Sequence, residues 1–230
     1  MEKRKRFAKS TLLNIVLLLG AFLMLTPLFW MLATAFTSNK FLAPSSLIPH
    51  DVTFENFLYA WTFPKQFNSN VTMGTFLWNS LFTSVVITAG GIIIDSLAAY
   101  VLAFKQFPGR NLFYYMALAT LMVPVYVILV PEYLIVVELG WLNSYKALIV
   151  PFLASGMGIS LFRSHFLGLS RELEECAKID GASNLRTYAS IIMPISKPII
   201  ATMAILKSMW SWNQYIWPLV VVNRIEKQTI

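Results

Sequence analysis

The chain has 230 residues, of which 57% are hydrophobic and 13% charged, with a net charge of +7. A soluble domain carries roughly a quarter of its residues as charges, so this composition excludes an ordinary soluble enzyme and describes a membrane protein. The basic excess sits in short runs beside apolar segments, where it reads as a topology signal; membrane lipid is an expected partner and nucleic acid is not.

Five stretches are long enough to cross about 30 Å of hydrocarbon, which takes about 20 helical residues. They are Thr11 to Phe36, Phe76 to Phe104, Asn111 to Val137, Tyr145 to Phe162 and Ile195 to Val222. The first follows Lys3, Arg4, Lys5, Arg6 and Lys9, and Ala33-Thr-Ala35 looks like a secretory cleavage site. Signal cores run only about 7 to 15 apolar residues, so this longer one is expected to remain as an anchor. The predicted organisation is a basic N-terminus (1–10), a first transmembrane helix (11–36), an external segment rich in Pro, Ser, Asn and aromatics that lies along the membrane surface (37–75), and a transmembrane core (76–230) containing a charged loop (163–197).

Lys and Arg in the connections set the orientation. Twelve lie at the N-terminus, the Lys105 to Arg110 turn and the Arg163 to Lys197 loop, against Lys40, Lys65, Arg224 and Lys227 on the other side. That bias puts the N-terminus and the charged loop in the cytoplasm. The single cysteine, Cys176, excludes an internal disulfide and reads as a small apolar packing residue on the reducing side.

The charged loop carries its own folding instructions. Ser170 is placed to cap a helix through Ile179, with Glu172, Glu174 and Glu175 in the first turns, where the helix dipole favours negative charge. Gly181 stops that helix, and Ser183 is placed to cap a second one that runs until Pro194. Leu169, Leu173, Cys176 and Ala177, then Leu185, Tyr188, Ala189 and Ile192, recur at three and four, which predicts one apolar face on each short helix and a missing partner for both.

No Gly-x-x-x-x-Gly-Lys-Ser/Thr phosphate loop is present, so ATP is not expected to bind this chain. His50 and His165 fall on opposite sides of the membrane and make no metal pair, and no Ser, His and Asp set is placed for nucleophilic chemistry. Neither a metal nor any other cofactor is expected on the chain. Asp95 lies inside the second span and Glu132 near the margin of the third. A proton-driven carrier usually buries several such groups, so their scarcity weighs against an ion-coupled carrier, the runner-up together with a membrane scaffold. For Asp95, pairing with Lys207 or with a partner subunit is the plainer reading.

Glu175-x-Ala177-x-x-Asp180-Gly181-Ala182, with nine residues (Ala182 to Ser190) between Gly181 and Ile191-x-Met193-Pro194, resembles the EAA loop of permease subunits of bacterial ABC importers. Cys176 and Met193 depart from the usual Ala and Leu but keep small or flexible apolar side chains. Pro108-Gly-Arg110, Met122-Val-Pro124, Val130-Pro131, Leu161-Phe-Arg163 and Trp212-Asn-Gln-Tyr-Ile-Trp-Pro-Leu219 are similar to the carbohydrate branch, the MalG-like permeases, over Phe76 to Asn223.

The resemblance implies an all-α, polytopic helix bundle of the type I importer, MetI-like fold in the bacterial plasma membrane. It implies a second, MalF-like permease, an ATPase dimer that holds ATP and Mg, an extracytoplasmic solute-binding protein, and a sugar substrate, with glycerol phosphate as the alternative. Glu175, Ala177, Asp180, Gly181, Ala182, Ile191 and Pro194 would form the loop that couples to the ATPase, while Glu172 and Glu174 read as simply solvated. MalG-like subunits continue into a sixth span, whereas this sequence stops at Ile230 after the fifth; truncation and a fragment both remain open.

Asn213 and Gln214 offer donors and acceptors, with Trp212, Tyr215 and Trp217 beside them as faces for a sugar ring. An interfacial aromatic belt explains the same residues equally well.

Overall fold

A computed structural model describes residues 2–38, 52–68 and 70–230, with side chains from Ser10 onward; Lys40 and His50 lie outside the described residues. The contacts divide the chain into two units, residues 1–73 and 74–230. Helix is the only extended secondary structure among the described residues, apart from an isolated bridge between Thr37 and Val52.

In the first unit, α1 (Glu2–Ala35) runs through Pro27, and α2 (Glu55–Thr62) is followed by a 3-10 turn, Phe63–Gln66. The stretch expected to form an external segment thus contains a short helix that the sequence pattern did not announce. Asn56 explains how it is fastened: its amide donates to the carbonyls of Ala35 (3.1 Å) and Thr37 (2.7 Å), two acceptors left open where α1 ends. Phe36 packs its ring on Phe54 and Phe57, with centroids 5.6 and 5.2 Å apart.

The second unit is built on α3 (Met73–Phe104). Ser80, Ser84, Ile87, Gly91, Asp95, Ala99 and Leu102 are buried along one stripe at helical spacing. Small residues dominate that stripe, which lets neighbouring backbones approach closely, as helix packing in lipid requires. Two apolar clusters form on it. One joins Ile87, Val136, Ala147, Leu148, Ile149, Trp217, Val221 and Val222. The other joins Ala99, Tyr100, Ala103, Phe162, Phe166, Tyr188, Ile192 and Met203.

Among the described residues three helices, Ser10–Ala35, Met73–Phe104 and Tyr145–Leu167, are long and apolar enough to cross a membrane, and the number is five if each of two bent pairs counts as one span. The expected third span is broken: α4 (Arg110–Thr120) and α5 (Val125–Glu138) meet at 103°. Pro124 is the cause, because it has no N–H to continue the ladder and forces the residue before it out of helical geometry. The fourth comprises α6 (Tyr145–Ile149), a 3-10 turn over Val150–Phe152 that contains Pro151, and α7 (Gly156–Leu167) capped by Ser155. The fifth is interrupted twice, by an 82° bend at Ser196 before α11 (Lys197–Trp212) and by a break before α12 (Ile216–Val221). Pro198 and Pro218 each remove a ladder donor just after those points.

Candidate functional site

The charged loop folds much as its local signals dictate. Helix α8 (Glu172–Ile179) starts where the Ser170 hydroxyl accepts from the Glu172 N–H at 3.3 Å. It ends in a Schellman closure: Ala182 N–H donates to Ala177 O at 2.8 Å and Gly181 N–H to Lys178 O at 3.0 Å. Gly181 occupies the left-handed position of that motif at φ +74°, where any other residue carries a steric penalty. Ser183 then caps α9 (Asn184–Thr187) by accepting from Arg186 N–H, and the helix continues through a π turn over Tyr188–Ile192 into α10 (Met193–Ile195). Pro194 sits in the first turn of α10, so the helix does not stop there; it turns at Ser196.

The single apolar faces expected for these helices are split between two directions. Ala177, Tyr188 and Ile192 are buried inward, the last two in the cluster with Tyr100 and Phe162. Leu173 and Leu185 are exposed together with Ile179, which is 85% exposed. Cys176 is exposed too, so it is not the packing residue its neighbours suggested. Glu175, Asp180, Gly181 and Pro194 face solvent, whereas Ala182 and Ile191 are half-buried. The loop therefore presents an outward surface of aliphatic side chains edged with carboxylates, on a scaffold anchored from behind.

Glu174 corrects the expectation of a solvated carboxylate. It is buried, paired with Lys105 at the end of α3, and bridged to Lys178 at 3.1 Å. Burial opposes its ionisation, but the hydrogen bonds and charges of Lys105 and then Lys178 outweigh that and hold the carboxyl below its ordinary value. Burial likewise works against the Lys105 ammonium, and its bond to Glu174 more than compensates, raising it. No local periodicity signals a contact between residues 69 apart.

Asp95 sits fully buried between the two apolar clusters. Its Oδ1 accepts from the Ser155 N–H at 2.8 Å, its Oδ2 from the Ser155 hydroxyl at 2.8 Å, and Lys207 Nζ lies 2.9 Å from Oδ2. The ammonium approaches at an angle that makes this a charge contact rather than an aligned hydrogen bond. A Cβ at position 158 would overlap Oδ2, so glycine there is what admits the carboxylate. Of the two partners considered for Asp95, Lys207 is the one present within the chain, and the pair ties α3 to α11 and, through Ser155, to α7.

The candidate path residues do not gather at one point. Trp212 and Asn213 line a groove of about 660 Å³ between α3 and α11, shared with Ser84, Thr88, Ser208 and Met209. Asn213 is exposed, and its amide donates to Met209 O at 2.7 Å. Gln214 and Trp217, with Trp212, line a cavity of about 20 Å³ next to Ser80 and Ser211, room for about one water. Trp217 is 3% exposed and its indole N–H donates to Ala147 O at 2.9 Å, so its face is committed to the core. Tyr215 is 71% exposed and contributes to neither space. Ser84, Thr88 and Ser208 escaped the sequence reading because single hydroxyls carry no periodic signal.

Residues 91–225 match the family described as binding-protein-dependent transport system inner membrane component. The chain is 36% identical over 219 residues to the sn-glycerol-3-phosphate transport system permease protein UgpE of Brucella suis biovar 1 (strain 1330), covering 94% of this chain and 78% of that protein. It is 35% identical over 212 residues to the protein of the same name from Yersinia pestis, covering 91% and 75%. Among solved structures, a bacterial ABC transporter involved in import of the acidic polysaccharide alginate superposes with a TM-score of 0.81 at 25% identity, over 96% of this chain and 76% of that one.

Proposed function

The chain belongs to the binding-protein-dependent transport system inner membrane components, and from that membership we propose a division of labour among its residues. It is a multi-pass inner-membrane permease subunit of an ABC importer, a transport subunit and not an enzyme, and it works with a partner permease, an ATPase and a binding protein. On our reading the second permease is MalF-like, ATP and Mg reside on a dimeric ATPase, the N-terminus is cytoplasmic, and this chain binds no cofactor.

The loop from Arg163 to Lys197 is the coupling element. Glu175, Asp180 and Gly181 meet the ATPase, with Ile179 and Leu185 supplying apolar contact, while Ala177, Ala182, Ile191 and Pro194 set the loop's shape. The observation that carries this is the closure at Gly181: a rigid turn that directs an aliphatic and acidic surface away from the bundle. Such a surface, left uncovered, calls for a partner.

The solute is hydroxyl-rich, of the sugar class. The relatives' name supports a glycerol phosphate and the alginate importer an acidic sugar polymer; both offer hydroxyls to the amides of Asn213 and Gln214 and to hydroxyls of the groove, with Trp212, which lines both spaces, beside them. Trp217 supports that wall from the core.

The test is Gly181→Val. A β-branched residue at φ +74° costs about 1 to 2 kcal/mol and disrupts the turn. The variant is expected to reach the membrane, to lose solute uptake and to retain less ATPase on purification. Wild-type uptake by this variant refutes the role assigned to the loop.

A further inference from the structure

The coupling loop is fastened to one particular helix. Lys105 follows the last residue of α3, and its N–H still donates to Val101 O at 3.0 Å, so its side chain projects from the helix terminus. The ammonium donates to Glu174 on α8 and, at 2.7 Å, to Asn184 Oδ1 at the start of α9, and lies 5.1 Å from the centre of the Tyr100 ring. Both arms of the loop thus meet on a single cation, which also sits where the C-terminal end of a helix favours positive charge. A second tie lies about two and a half turns deeper. The Tyr188 hydroxyl, on the π turn, shares a hydrogen bond of 2.7 Å with Ser96 on α3, and its ring packs on Tyr100 at 5.6 Å. Towards α11, by contrast, the loop leaves through the 82° bend at Ser196.

We propose that Lys105 is the positioning residue that makes the coupling loop a rigid extension of α3, so that displacement of the loop by the ATPase is delivered to α3 and to the groove it shares with α11. This rests on the coupling role proposed above. Lys105 touches neither the outward surface of the loop nor the groove, so its removal leaves ATPase docking in place and breaks the transmission.

The experiment uses the complete complex in proteoliposomes with its binding protein. Radiolabelled sn-glycerol 3-phosphate and a panel of labelled sugars serve as probes, and the readout is solute imported per ATP hydrolysed. Lys105→Met is expected to keep ATPase association and hydrolysis and to lower that ratio about 2-fold to 30-fold, the range of a coupling perturbation. Lys105→Arg is expected to retain most of the ratio, and Lys105→Glu combined with Glu174→Lys to recover part of it. If Lys105→Met fails to accumulate, Glu174→Gln with Asn184→Ala removes the same contacts from the other side and is expected to give the same drop. An unchanged ratio in these variants, with uptake tracking only the amount of complex, overturns the proposal and leaves the coupling loop itself standing. A Gly181→Val complex that imports solute at the wild-type ratio overturns the coupling role as well.

Discussion

Removing either partner of the Asp95–Lys207 pair tests whether the bundle is held together at its most polar buried point. Lys207→Met leaves a fully buried carboxylate with two hydrogen bonds from Ser155 and no counter-charge; Asp95→Leu leaves an ammonium whose side chain is 8% exposed and two Ser155 donors without an acceptor. Breaking a buried pair from one side costs about 3 to 5 kcal/mol, because the remaining charge is uncompensated. Asp95→Asn with Lys207→Met removes both charges yet keeps an amide oxygen for Ser155, so the double variant is expected to be more stable than either Lys207→Met or Asp95→Leu. For a chain of this size each kcal/mol shifts the melting midpoint by roughly 2 to 4 °C, which places the single variants on the order of 10 °C below the parent. Thermal unfolding of the detergent-solubilised complex, followed by loss of monodisperse protein, reads this directly. A double variant that melts below Lys207→Met alone would mean that the two charges do not compensate each other.

Three further outcomes follow from the geometry. Cys176, exposed on the loop, is expected to resist an impermeant maleimide applied outside whole cells and to react in inside-out vesicles stripped of ATPase; labelling from outside reverses the assigned orientation. Asn213→Ala and Gln214→Ala, each normalised to assembled complex, are expected to weaken apparent solute affinity about 5-fold to 150-fold, the cost of about 1 to 3 kcal/mol for an unpaired hydroxyl, and unchanged affinity in both moves the solute path elsewhere. The Glu174 bracket has a defined pH window. The lowered carboxyl contributes stability above its ordinary value of 4.5 and loses it as pH falls through the lowered value, while the raised Lys105 contributes below 10.5 and loses it at higher pH. Amide-exchange protection of Ala177 to Ala182, corrected for intrinsic rates, is therefore expected to stay flat from about pH 5 to 9, and a midpoint inside that range contradicts the ion pairing.

What the sequence determined by itself was what short-range physics decides. The Ser170 and Ser183 caps, the left-handed Gly181 and the helix between them depend on hydrogen bonds spanning at most five residues, and all are found where local chemistry puts them. The membrane class and the spans follow from hydropathy summed over a window, which tolerates errors at single positions. Only tertiary structure decided which side of each short helix is inside. Glu174 is buried because Lys105 ends α3 opposite it, and Leu185 is exposed although its spacing matches that of Tyr188 and Ile192. The same holds for the prolines, whose missing donors were visible while the 103° and 82° bends were not, since an angle depends on what each half packs against. It holds also for Trp217, which shares a motif with Asn213 and Gln214 yet turns into the core to reach the Ala147 carbonyl, a partner 70 residues away.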